Sequence, residues 1–227
     1  MSDSIVNAFH YKDTLVFIHV DDDPQDPRVE WDNSGIFWGW HSRYKIGDPG
    51  EVERYGKTFY KKEFDPGNYD NFGQVADAIY KEHRALTVLP VRLHDHGGLS
   101  LSISSSGDRW DSGQLGLIWM PREGLADLGY KIASKHAVAK AEKQLHAEIE
   151  VMDAYVSGRV YGWESYVCVS HKDEYAIGPA IDATWGYYGH KEIPYMLEVA
   201  LGSSAAAKAA VELGEHAARR LRRLDAA

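Results

Sequence analysis

The chain has 227 residues, 34 acidic and 25 basic, with a net charge of −9, 44% hydrophobic residues and 26% charged ones. A chain of this size buries roughly 70% of its unfolded surface and folds without a disulfide or metal staple; the single Cys168 excludes an internal disulfide framework and fits a reducing compartment. The acidic balance argues against a surface that embraces nucleic acid throughout.

The β-branched and aromatic run Thr14 to Val20, stopped by Asp21-Asp22-Asp23-Pro24, predicts a strand. Gly35 to His41 predicts a second, dense in Phe37, Trp38 and Trp40. Residues 42–68, with Gly47, Pro49, Gly50, Gly56, Pro66 and Gly67, predict loop. A helix is expected from about Asp70 to His83, with Phe72, Val75, Ala76, Ile79 and Tyr80 on one face. Leu86 to Leu93 and Leu99 to Ser104 predict a hairpin about Gly97-Gly98, and Gly116 to Met120 a further strand.

The clearest helix runs from Ser134 to Val156, where Val138, Ala141, Leu145, Ile149, Met152 and Val156 form one stripe. Val160 to Ser170 predicts a strand broken by Gly162, Thr184 to Tyr188 another, and Glu192–Leu201 a short helix ending at Gly202. From Ser203 the chain turns Ala-rich, and the stripe Ala210, Leu213, Ala217, Leu221, Leu224 predicts a terminal amphipathic helix carrying Arg219, Arg220, Arg222 and Arg223. The expected architecture is α+β: a mixed or antiparallel sheet packed against one long helix and a shorter one, with a C-terminal helical extension. Residues 1–202 are expected to form a single domain and 203–227 the helix.

Motifs for chemistry are sparse. His94-Asp95-His96 places two imidazoles on one strand face, and with Asp111 it defines a metal-dependent hydrolase or nuclease as one reading. No further His/Asp cluster follows it closely, and a turn role beside Gly97 is the alternative. Asp21-Asp22-Asp23 splays to opposite sides before Pro24, as a solvated turn does. No Gly-x-Ser-x-Gly elbow, Gly-x-x-x-x-Gly-Lys loop or Gly-x-Gly-x-x-Gly fingerprint occurs, and Cys168 sits between Val167 and Val169 like a core thiol. The sequence therefore predicts no catalytic residue, no metal ligand set and no cofactor. Met1-Ser2-Asp3-Ser4 lacks a basic leader and no apolar run approaches the ~20 residues of a membrane span, so a cytoplasmic protein is expected.

Aromatic residues are abundant, with seven Trp and fourteen Tyr. Alternation puts Trp38 and Trp40 on one face, and His41, Arg43 and Tyr44 follow. Most of the rings are expected to form a core, but Trp, Tyr and Arg are also the residues of interface hot spots. The predicted partner-binding set is Trp38, Trp40, His41, Arg43, Tyr44 and, on the tail, Leu213, Arg220, Leu221 and Leu224.

Pro27-Arg28, Trp31-Asp32-Asn33-Ser34-Gly35, Trp40-His41-Ser42-Arg43-Tyr44 with Gly47-Asp48, Leu89-Pro90-Val91, Asp95-His96-Gly97-Gly98 and Trp110-Asp111-Ser112-Gly113-Gln114 with Gly116 form a distinctive series. With Tyr161-Gly162 and Trp185-Gly186, it resembles a widespread group of bacteriophage and mobile-element proteins over about residues 27 to 190. The resemblance carries no catalytic assignment, and that group tends to have Tyr where His94 stands. By analogy of size and the lack of chemical motifs, it implies a non-enzymatic phage regulator that binds a protein. A recombination directionality factor, which switches a serine integrase on its DNA from integration to excision, is one such protein. Such a factor reads no DNA sequence itself and needs no membrane. A counter-defence protein that occupies a host nuclease through its acidic face stands as another reading.

Overall fold

The computed structural model describes residues 5–103, 112–171, 174–213 and 222–223. The fold is α+β, and its sheets are antiparallel apart from one short parallel pairing. Instead of one domain over 1–202, the chain forms two compact units: Gln25–Ser157, and Met1–Pro24 together with Gly158–Ala227. The cause is a direct strand pairing across the long intervening segment, which closes cores of its own.

The outer unit is built on a six-stranded sheet. Strands β1 (Ile5–Tyr11) and β2 (Thr14–Val20) form a hairpin. β2 then pairs in register from Thr14↔Val167 to Val20↔Tyr161 with a strand far along the chain, Val160–His171.

 That partner is β9 in chain order, and it pairs antiparallel with β10 (Glu174–Tyr188). Gly162 does not break β9, because the ring of Trp185 takes the place of its side chain: a Cβ there would meet Trp185 Cε3 at 2.1 Å. One face of this sheet presents Val16, Ile18, Tyr161 and Trp163 to Met196 and Leu197 of a helix, Ile193–Leu201, which ends on the left-handed Gly202.

Of the terminal helix predicted over 203–227, the described residues show a short helix, Ser204–Ala209, and then a strand, Val211–Leu213; residues 214–221 and 224–227 lie outside them. That strand pairs with β1, with Ala8 opposite Leu213, and a further two-residue strand, Arg222–Arg223, runs parallel to β10 at Ala176 and Ile177. The alanines keep the helix Ser204–Ala209, while the edge of β1 offers unpaired backbone groups to which Val211–Leu213 pairs.

The inner unit is a four-stranded antiparallel sheet in the order β3 (Ile36–Gly39), β8 (Ser112–Met120), β6 (Thr87–Asp95), β7 (Leu99–Ser102). Helix α2 (Lys135–Val156), capped by the Ser134 hydroxyl accepting from Ala137 N, lays Ala141, Leu145, Ile149 and Met152 on Phe37, Val91, Leu93 and Ile118. Helix α1 (Phe72–His83), capped by Asn71, covers the opposite face with Val75 and Ile79 against Ile36, Trp38, Leu117 and Trp119. Pro90 stands opposite Leu117 of β8 and is accommodated because β7 pairs only with Arg92 to Asp95, which leaves the other side of its backbone without a ladder to break.

A hairpin of β4 (Glu51–Arg54) and β5 (Lys57–Tyr60) lies within the stretch expected to be loop. Its turn residues Tyr55 and Gly56 both have positive φ, 53° and 69°. Tyr55 is held there by its hydroxyl, which donates to Ser34 O at 2.9 Å, and burial pushes that phenol up to about 12. No described helix is long and apolar enough to cross a membrane.

Candidate functional site

The Pro27-Arg28 to Gly47-Asp48 motifs converge on one buried ion cluster of the inner unit. Arg28 donates through Nε and Nη2 to the two oxygens of Asp48 at 2.9 and 2.6 Å, and through Nη1 to Glu148 Oε2 at 2.8 Å. Nη2 also donates to Gly35 O at 2.8 Å. The carboxylates are spoken for on their other sides: Glu148 Oε1 accepts from Ser34 N and Gly35 N, and Asp48 Oδ2 accepts from Phe37 N. All three side chains are nearly without solvent contact. Burial works to lower the Arg28 pKa, but Asp48 and Glu148 outweigh it and raise it above the ordinary arginine value. This cluster pins the Pro27–Gly35 loop to the start of β3 and to α2; it is a support, not a reacting site. The motif series contains Arg28 and Asp48, but nothing in the sequence pairs them with each other or with Glu148.

Above that support, the chain leaves β3 at Trp40 and returns at Gly47, which bridges back to Trp38, while Asp48 N donates to Phe37 O at 2.7 Å. The excursion between is held by its own side chains. His41 Nδ1 accepts from Arg43 N and Tyr44 N at 3.2 Å, and the His41 and Tyr44 rings stack at 5.0 Å. The Arg43 guanidinium lies 5.0 Å from the Tyr44 ring centroid. Tyr44 OH donates to Asp95 Oδ2 at 2.8 Å, a bond that raises its pKa, and Arg43 approaches the same oxygen at 3.9 Å with its side chain 73% exposed.

Beside this loop opens a groove of about 650 Å³, lined by Asp26, Trp40, His41, Tyr44, Lys45 and Lys61 among others. Lys61 Nζ donates to Gly39 O and lies 5.5 Å from the Trp40 ring centroid. Burial lowers its pKa.

The predicted binding set divides accordingly. With Arg43 beside them over the Tyr44 ring, Trp40, His41 and Tyr44 line the groove. Trp38 is not part of it: its side chain is fully buried, with Phe64 stacked at 5.8 Å and Trp119 at 5.7 Å, because its strand is covered by α1. Leu213 is engaged in the sheet edge and packs with Ala8, Leu15 and Phe17, so it is not the apolar stripe of a free helix. Arg220, Leu221 and Leu224 lie outside the described residues.

His94 and His96 have ring centroids 6.4 Å apart, and Asp95 accepts from Tyr44. Among the described residues no group of three or more His, Cys, Asp or Glu is placed to hold a metal ion; Asp111 lies outside them. Cys168 is buried, and burial raises its thiol pKa.

A second imidazole belongs to the core of the inner unit. His83 stacks on Trp119 at 5.1 Å and 17°, with Phe59 and Phe64 also against it. Burial lowers its pKa from 6.5, against the opposing pull of Glu63, Glu82 and Glu123. Protonation therefore favours the unfolded chain. The stability that neutral His83 contributes is fully present above about pH 6.5 and is lost as pH falls from there toward its depressed folded value. The melting midpoint is expected to fall between about pH 7.5 and pH 5.5, and His83→Phe to flatten that slope. Equal slopes in the two proteins, followed by circular dichroism, would remove His83 as a cause.

No family model, curated protein or solved structure matches the chain.

Proposed function

We propose that this is a non-enzymatic regulatory protein of bacteriophage type that acts in the host cytoplasm by binding a protein partner through the Trp40–Tyr44 loop. One observation carries the reading. Rings and a guanidinium of the kinds that dominate interface energetics are stacked and hydrogen-bonded in place before any partner arrives. Pre-ordering of this sort lowers the entropic cost of association. The motif resemblance supports the phage setting, and a large serine integrase on its DNA is the partner of choice. The protein would favour the integrase's excision-competent state by binding it more tightly than the integrative one.

The test is an excision assay with purified integrase. Wild-type protein is expected to promote excision. A His41→Ala/Tyr44→Ala pair, in a protein that melts as the wild type does, is expected to bind at least about thirtyfold more weakly, as loss of a hot spot of ~2 kcal/mol implies. Undiminished excision and binding by that pair would overturn the reading.

A further inference from the structure

The groove beside the loop has a charge pattern that specifies more than a generic protein surface. Lys61 is half-buried, its ammonium engages only a backbone carbonyl and an indole face, and no carboxylate among the described residues pairs with it. Lys45, exposed, adds a second cation to the same groove, where Asp48 is buried and paired with Arg28 and Arg54 and Asp26 accepts from the Arg28 backbone N–H. An ammonium with no anionic partner, seated in a groove, is a site for an anion.

A recess of about 230 Å³ adjoins the groove; both share Val29, Asp48 and Pro49 as lining. Its charge is opposite. Glu30, Asp32, Glu51 and Glu53 line it, all exposed, and Arg54 is the one cation besides the paired Arg28. β4 alternates, so Glu51 and Glu53 share its outward face while Val52 packs inward.

We infer that this surface takes a short extended peptide segment of the partner that carries a carboxylate for Lys61 and Lys45 and, a few residues away, a basic side chain for Glu51 and Glu53. The inference rests on the partner-binding reading and names the chemistry of the segment bound. Charge complementarity selects this occupant. A nucleic acid strand would bring phosphates to both halves and meet four carboxylates in the second. A uniformly acidic peptide meets the same repulsion, and a uniformly basic one leaves Lys61 unpaired.

The full chain is titrated, with NMR detection, with three blocked peptides: one with two glutamates and two arginines separated by a Gly-Ser-Gly spacer, and versions with all-Glu and all-Arg charges. A short oligothymidylate completes the set. The mixed peptide is expected to bind more tightly than any other probe, to shift resonances of residues 39–54 and 61, and to weaken as salt rises. Lys61→Gln, Lys45→Gln and the Glu51→Gln/Glu53→Gln pair are each expected to weaken it about fivefold, the effect of one exposed ion pair at its upper limit. The latter two variants alter exposed side chains and keep the test open should Lys61→Gln unfold. Tighter binding of the oligothymidylate, of either single-sign peptide, or equal binding by all variants would overturn the inference. Integrase binding that depends on His41 and Tyr44 but is indifferent to Lys45, Glu51 and Glu53 would overturn it while leaving the partner-binding reading intact.

Discussion

Arg28→Met is expected to be among the most destabilising single substitutions in the chain. Methionine keeps the length of the apolar stem but removes the cation shared by Asp48 and Glu148, together with the donors to both carboxylates and to Gly35 O, and leaves only Arg54, 3.9 Å from Asp48 Oδ1. Glu148 is then buried with no cation and Asp48 keeps only the longer contact to Arg54, and breaking a buried pair in this way costs about 3–5 kcal/mol. That is a large share of the roughly 5–15 kcal/mol that holds a domain together. Arg28→Lys is expected to fall short of rescue, because one ammonium cannot reproduce the bidentate pair with Asp48 while also reaching Glu148 and Gly35. The sharper test is the triple variant Arg28→Met/Asp48→Asn/Glu148→Gln, which removes all three charges and is expected to be more stable than Arg28→Met alone. Urea unfolding of the three proteins measures the order. If the single variant loses less than about 1 kcal/mol, the cluster is not the support described above.

Trp38→Ala is expected to cost about 3–5 kcal/mol, the range for deleting a buried large aromatic side chain. The ring is fully buried and touches Phe64, Trp119 and Trp40, the last edge-on at 6.4 Å. Trp38→Phe is expected to be far milder, since it keeps an aromatic body and removes an indole N–H that has no partner among the described protein groups. Trp40→Ala, half-buried at the groove, is expected to be closer to neutral in stability and to act on binding. Equal loss of stability in Trp38→Ala and Trp40→Ala would reverse the assignment of one ring to the core and the other to the surface.

The elements with strong periodicity were legible in the sequence. Thr14–Val20 and the long helix that ends at Val156 stand where alternation and a three-to-four spacing put them. The hairpin of Glu51–Tyr60 was hidden because its turn is Tyr55-Gly56, and nothing local marks a tyrosine for positive φ; its hydroxyl bond to Ser34 does so from a distance. Ile5–Tyr11 was missed for a similar reason: its turn uses Lys12 at φ 51° without glycine. In the tail the alanines give the helix Ser204–Ala209, but Leu213 was read as part of that helix because the edge of β1 was invisible in the sequence. In the site, the loop Trp40–Tyr44 was legible from residue type, but Trp38 and Trp40 have the same parity and only α1 decides which is covered. The ion cluster joins residues 20 and 120 positions apart, a separation that no local pattern encodes.

The pairing of β2 with β9 also sets an order of assembly. Translation delivers β1 and β2 first, but their central partner emerges only after all of Gln25–Ser157 has been made. Through that interval the nascent hairpin waits with both flanks bare, since β1's partner Val211–Leu213 comes later still, while Gln25–Ser157 holds every strand and helix its own cores require. Long-range strand pairing is slow to close and exposed to aggregation while it is open. The protein made last is thus the one that completes what was begun first, and slowing the ribosome inside 25–157 should lengthen the life of that unfinished edge.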